Sequence, residues 1–192
     1  MVEYGSDTAL VVVDVQNDFA DPDGSLYVPG GQEVVQAVNG EIGRARAVGA
    51  LVVYTQDWHP EQTPHFQDQG GQWPRHCVRG TKGAQFHPDL VVDGPVVRKG
   101  TGGGDGYSGF SVRDPETGEE GATELDRILR EHGIQRVVIA GLAQDVCVKE
   151  TALDAVGKGY AAELLTEATR PVDPEQGRQT IDALREAGVD IR

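Results

Sequence analysis

A few side chains scattered between positions 14 and 147 are of types that do covalent chemistry on small molecules. Cys147 follows Gly141-Leu142-Ala143-Gln144-Asp145-Val146 and stands where a helical pattern begins. A thiol at a helix opening feels the positive end of the dipole, which favours thiolate, and the free backbone N–H groups there can hold an oxyanion. Asp14 sits at the tip of an apolar run, where a carboxylate needs a partner or a raised pKa. Lys99 ends a second apolar run and precedes Gly100. Together the three would form a Cys–Asp–Lys nucleophile system. Each also has a plainer reading: a capping or turn-forming Asp14, a buried structural Cys147 and a solvated Lys99.

A second group could hold a metal. Asp57-Trp58-His59 offers two ligands on one extended segment, since residues i and i+2 point the same way. His65 and His76 follow in the same stretch. A carboxylate with imidazoles suits Zn²⁺, Fe²⁺ or Mn²⁺. Cys77, beside His76, reads as a buried thiol, and His87 and His132 as structural or surface residues. Gly104-Asp105-Gly106-Tyr107-Ser108-Gly109 matches G-x-G-x-x-G, but the next residues, Phe110-Ser111-Val112-Arg113-Asp114-Pro115, are turn-like rather than helical. No Gly-Lys-Ser/Thr appears either, so the stretch reads as a loop and not a phosphate cradle.

These residues lie far apart in sequence, so a scaffold must gather them. Ala9 to Val15, Ala50 to Thr55, Arg136 to Ala140 and Ala161 to Leu165 are near-continuous apolar runs, as in strands buried on both faces. Val96 to Arg98 and Val189 to Ile191 are shorter candidates. Helical patterns run from Glu33 to Val48, Thr123 to His132, Cys147 to Val156 and Glu175 to Ala187. The alternation predicts an α/β fold: a doubly wound, about six-stranded parallel sheet with helices on both faces. Ligands of such sheets bind beyond the carboxyl ends of the strands, which is where Asp14, Asp57, Lys99 and Cys147 fall. The stretch from about 56 to 95 is too long and too rich in Pro, Gly and His for a plain connection, and its aromatic residues argue for order. The expectation is one domain over residues 1–192 carrying this metal-site loop.

Composition narrows the partners. With 17 basic and 31 acidic residues in 192, the net charge is −14. Such a chain repels phosphate backbones and anionic lipid, so neither nucleic acid nor a membrane surface is an expected partner. No apolar run reaches membrane-spanning length. Met1 to Asp7 has no basic segment leading into an apolar one, so no signal peptide is expected. Two cysteines fit a reducing compartment and a cytoplasmic location. Gly, at 26 residues, is roughly twice its usual ~7% share, which points to many tight turns.

Several blocks, taken in order, carry a resemblance: Val13-Asp14-Val15-Gln16-Asn17-Asp18-Phe19, Asp57-Trp58-His59, Trp73-Pro74-Arg75-His76-Cys77-Val78, Lys99-Gly100, Tyr107-Ser108-Gly109-Phe110 and Gly141 to Val148. Across essentially the whole chain they resemble the nicotinamidase/pyrazinamidase branch of the isochorismatase-like cysteine hydrolases. The resemblance implies a metal-containing amidohydrolase that converts nicotinamide, or a similar pyridine carboxamide, to nicotinate and ammonia through a thioester. It implies Cys147 as nucleophile, Asp14 as general base and Lys99 supporting both. Ala143 and Cys147 N–H groups would form the oxyanion hole beside a cis Leu142–Ala143 peptide. Asp57, His59 and His76 would bind one divalent ion (Zn, Fe or Mn), and His65 matches a position that is a ligand in some members only. Phe19, Trp73 and Tyr107 would contact substrate. Relatives range from monomers to higher assemblies, which leaves a homo-oligomer open. One departure stands out: the family usually has Thr where this chain has Gln144, which alters local hydrogen bonding. Two competing readings remain at this point, a related cysteine hydrolase acting on another small amide or carbamoyl compound, and a non-catalytic α/β module with a structural metal.

Overall fold

The computed structural model of the chain describes residues 2–114 and 116–192. Met1, and Pro115 at the end of the stretch read as turn-like, lie outside the described residues. Strand β1 (Thr8–Val13) is followed by a short helix α1 (Asn17–Ala20), α2 (Gly31–Ala47) and β2 (Leu51–Asp57). A long connection leads to β3 (Val96–Lys99), a hairpin of β4 (Ser111–Arg113) and β5 (Glu120–Ala122), α3 (Leu125–Glu131) and β6 (Arg136–Leu142). The chain ends with α4 (Lys149–Gly157), β7 (Ala161–Arg170), α5 (Pro174–Glu186) and β8 (Asp190–Ile191).

Six strands form one sheet in the order β3-β2-β1-β6-β7-β8, and every neighbouring pair is parallel. This is the expected doubly wound sheet. The β-branched run of β1 explains its central place. Leu10 and Val12 pack into the core beneath α2, while Ala9, Val11 and Val13 pack into the core beneath α3, α4 and α5. Both faces of the strand are buried, so no polar alternation is needed. The chain runs outward from β1 to β3, then returns to place β6 on the other side of β1. The strand order therefore reverses between β1 and β6, which opens a crevice at their carboxyl ends.

Boundaries differ from the sequence reading in ways that matter for the site. β1 ends at Val13, because Asp14 turns out of the strand at φ 48°. β2 and β3 reach Asp57 and Lys99, which pair in register as the last residues of neighbouring strands. β7 continues to Arg170 instead of stopping at Leu165, because its pairing with β6 shifts between Ile139 and Gly141. Gly141 is required there: at φ 118° a Cβ would stand 2.0 Å from the Val13 carbonyl oxygen. Ser111–Arg113, expected as turn, is a strand paired antiparallel with Glu120–Ala122. Its closure is local: Asp114 accepts hydrogen bonds from the Glu116 and Thr117 N–H groups. α5 begins as its sequence dictates, with Asp173 capping the Glu175 and Gln176 N–H groups and Pro174 in the first turn.

Candidate active site

The carboxyl ends of β1, β2 and β3 place three charged side chains together. Lys99 and Asp14 are both fully buried. The Lys99 ammonium lies 2.7 Å from Asp14 Oδ2 and 2.5 Å from Asp57 Oδ1. It also donates to the Gly106 carbonyl and stands 3.6 Å from Cys147 Sγ. Thr55, near the end of β2, donates its hydroxyl to Asp14 Oδ1 at 2.7 Å. Gln16 holds the turn after β1 against β2: its amide donates to the Asp57 and Ala84 carbonyls, and its carbonyl accepts the Asp57 N–H.

Burial and charge then set the protonation states. Burial pulls the Lys99 ammonium down, but Asp14 and Asp57 outweigh it and hold the amine well above its ordinary range. Asp57 resists burial through Lys99, His59 and His76, and stays below the usual carboxylate range. Asp14 does not resist it fully, and burial pushes its carboxyl up to about 6 against the pull of Lys99. The cleft thus holds a firm cation, a firm anion and one carboxylate poised to take or release a proton near neutrality.

Cys147 comes from the other side of the crevice. The Leu142–Ala143 peptide is cis, and a single π-type turn, Gln144–Val148, carries the cysteine into α4. The expected helix from Cys147 therefore begins later, at Lys149. One oxygen each from Asp14 and Asp57 lies with the Cys147 sulfur within a 4.8 Å cluster. The expectation that a helix opening would favour thiolate is corrected here. Burial pushes the thiol up, with Lys99 pulling against it, which favours the protonated sulfur. Asp145 anchors this turn by accepting the Val172 and Asp173 N–H groups ahead of α5. Gln144 is buried and reaches the Gly177 carbonyl at 3.4 Å, so the unusual amide ties the turn to α5.

The three histidines of the long loop meet next to Asp57. One ring nitrogen each from His59, His65 and His76 falls within 4.8 Å of the others, and Asp57 Oδ2 lies 3.5 Å from His59 Nε2 and 3.8 Å from His76 Nε2. His76 Nδ1 faces the Pro74 carbonyl oxygen at 2.8 Å. A carbonyl only accepts, so Nδ1 carries the proton and Nε2 presents a lone pair towards Asp57. Burial pulls the His76 imidazole down to about 4, which keeps it neutral as a ligand must be. Among the described residues, neither buried ring nitrogen of His59 has a hydrogen-bond partner. An orphaned imidazole nitrogen is costly, and a divalent cation is the partner this carboxylate–imidazole set is suited to hold. Cys77 is buried and takes no part: its N–H donates to Asp18 Oδ2 at 2.7 Å.

Between sulfur and histidines lies a cleft that Phe19, Trp73 and Tyr107 line, together with Ala143 and Cys147. Trp73 Nε1 donates to the Tyr107 hydroxyl at 2.9 Å and so joins two walls of the cleft. Leu26, Val28, Val146 and Val172 add apolar walls that sequence reasoning missed. It also missed Thr55 and Asp105. Asp105 Oδ1 lies 2.5 Å from His65 Nδ1, and an acid inside a glycine run was the one available signal. That run is tightly packed: at Gly100, with φ 71°, a Cβ would stand 2.6 Å from His59 Cε1.

Known proteins share this architecture. A family model described as the isochorismatase domain matches residues 8–192. The nicotinamidase/pyrazinamidase of Mycobacterium tuberculosis is 39% identical over 188 residues, spanning 95% of this chain and 97% of that protein. The pyrazinamidase of Pyrococcus horikoshii in complex with zinc superposes with a TM-score of 0.87 at 41% identity, covering 97% of this chain and 98% of that one. A structure from L. infantum in complex with nicotinate gives a TM-score of 0.88 at 37% identity over 100% of this chain and 95% of that one. With the parallel sheet, the crevice at its reversal point and near-complete coverage in agreement, the chain belongs to the isochorismatase family.

Proposed function

We propose that this chain hydrolyses nicotinamide, and close pyridine carboxamides, to the carboxylate and ammonia. One observation carries the reading. The buried Lys99 ammonium stands 2.7 Å from Asp14 and 3.6 Å from the sulfur of Cys147, and Cys147 lines a cleft that also reaches the histidine cluster. An acid, an amine and a thiol at that spacing suit a nucleophile with its own base. The nicotinamidase and pyrazinamidase relatives, and the neighbour in complex with nicotinate, support the choice of substrate.

In this reading the carboxamide enters between Phe19 and Trp73, with its carbonyl carbon at Cys147. Asp14, ionised at neutral pH, accepts the thiol proton, and the sulfur attacks the carbonyl carbon. Backbone N–H groups of Ala143 and Cys147 receive the oxyanion; one such donor is worth ~10²–10³ in rate. Asp14 returns its proton to the departing amine, and ammonia leaves a thioester on Cys147. Water, deprotonated towards Asp14, then attacks the thioester, and carboxylate and free thiol are restored. Lys99 stays charged throughout, holding Asp14 in place and balancing negative charge as it builds. Asp57, His59 and His76 would hold a divalent ion, which supplies a Lewis-acid anchor for the ring nitrogen of the substrate.

The deciding experiment is ammonia release from nicotinamide, pyrazinamide and a panel of non-aromatic amides and carbamoyl compounds, with and without prior chelation. Release from the pyridine carboxamides, lost on chelation and restored by Zn²⁺ or Mn²⁺, is expected. Activity on the non-aromatic compounds alone would transfer the chain to another amidase specificity.

A further inference from the structure

Asp105 does not belong to the nucleophile system, and the resemblance assigns it nothing. Its surroundings give it a definite task. The backbone of Asp105 is pinned to the hairpin strand β4: its N–H donates to the Arg113 carbonyl at 2.6 Å, and its carbonyl accepts the Arg113 N–H at 2.8 Å. From that fixed base its carboxylate reaches His65 Nδ1 at 2.5 Å. The His65 side chain is 4% exposed. Its backbone N–H is held by the Thr63 hydroxyl at 3.2 Å, and that hydroxyl donates to the Gly103 carbonyl at 2.9 Å. The imidazole stacks on His59 with ring centroids 4.7 Å apart. A carboxylate only accepts, so the proton of neutral His65 must sit on Nδ1 and the lone pair on Nε2. Ligating imidazoles are oriented in this manner by an outer carboxylate.

We propose that Asp105 is a positioning residue that fixes His65 as a ligand of the metal ion, alongside Asp57, His59 and His76. The glycine-rich segment after Lys99 thereby serves two ends at once. Gly106 accepts from Lys99 through its carbonyl, and one residue earlier Asp105 sets the orientation of the fourth metal-binding side chain. This rests on the reading that the histidine cluster holds an ion, and its test uses binding and not turnover.

The full chain, stripped of metal, is titrated with Zn²⁺ in competition with a chromogenic chelator, and separately with Co²⁺, whose visible bands report its ligands. Asp105→Ala should weaken Zn²⁺ binding by ~10–100-fold. Asp105→Asn, whose amide oxygen still accepts from Nδ1–H, should recover most of that loss. The Co²⁺ bands of Asp105→Ala should move towards those of His65→Ala. Because Asp105 acts only through the imidazole, the double variant should bind no more weakly than His65→Ala alone. If Asp105→Ala does not fold, Asp105→Ser carries the same comparison. Parent-like Zn²⁺ affinity in the single variant, or additive losses in the double one, overturns the proposal alone. A parent chain that binds no ion overturns the metal centre and this proposal with it.

Discussion

The sharpest test of the proton-transfer scheme is a substitution that touches neither sulfur nor metal. Thr55 is fully buried, and its hydroxyl is the neutral donor to Asp14 Oδ1, at 2.7 Å. Valine has nearly the same shape and removes that donor. A hydrogen bond to a charged group contributes ~1.5–3 kcal/mol, and ~1.36 kcal/mol corresponds to one pKa unit. The bond favours ionised Asp14 over its protonated form, so losing it moves the carboxyl upward from about 6, by ~1–2 units. Asp14 works as a base only when ionised, so activity is lost as pH falls through its pKa. The acid limb of the kcat/KM profile for nicotinamide should therefore move from near 6 to ~7–8 in Thr55→Val. At pH 7 the ionised share falls from ~90% to between ~50% and ~10%, a ~2–10-fold loss, and the plateau near pH 9 is kept. Lys99, held well above its ordinary value, gives no falling limb below that pH. An acid limb that stays in place would refute Asp14 as the titrating base.

Other perturbations act on separate parts of the cleft. Cys147→Ala should lower ammonia release by about 10⁴-fold or more while leaving metal content and melting temperature near the parent values; measurable turnover would remove the nucleophile. Lys99→Met leaves Asp14 and Asp57 buried without their shared cation, so thermal denaturation should show a loss of ~3–5 kcal/mol alongside lost activity. Gly100→Ala forces a Cβ to within 2.6 Å of His59, and equilibrium dialysis should show weakened Zn²⁺ binding before any loss of secondary structure.

The legible part of the site is the part that interrupts a pattern. Asp14 and Lys99 each end an apolar run, and parallel sheets bring strand ends together, so their meeting follows from topology. Asp57, His59, His65 and His76 stand out because carboxylate and imidazole recur within one loop. Thr55 was hidden because a β-branched residue in a strand is explained by propensity alone. Asp105 was hidden by distance, since its partner lies 40 positions away and no periodicity links them. The hairpin strands span three residues each, too short for an alternation to register. The turn at Cys147 differs from a regular helix by one residue of spacing, which leaves no mark on composition. The raised thiol comes from burial, which a dipole argument made from sequence does not include.

The crevice takes its members from four strand ends, at positions 14, 57, 99 and 147, and no two of them are neighbours in the chain. Such an assembly has no local precursor: a fragment that has closed β1 against β2 owns an acid without its amine, and one lacking β6 owns both without a sulfur. Contacts of this separation form late and slowly in folding. Turnover is therefore an all-or-none gauge of the four strands β3, β2, β1 and β6, blind to fraying at the outlying β8. Recovery of activity during refolding should trail the return of helical signal and coincide with the docking of edge strand β3 and of β6 onto the β1–β2 pair.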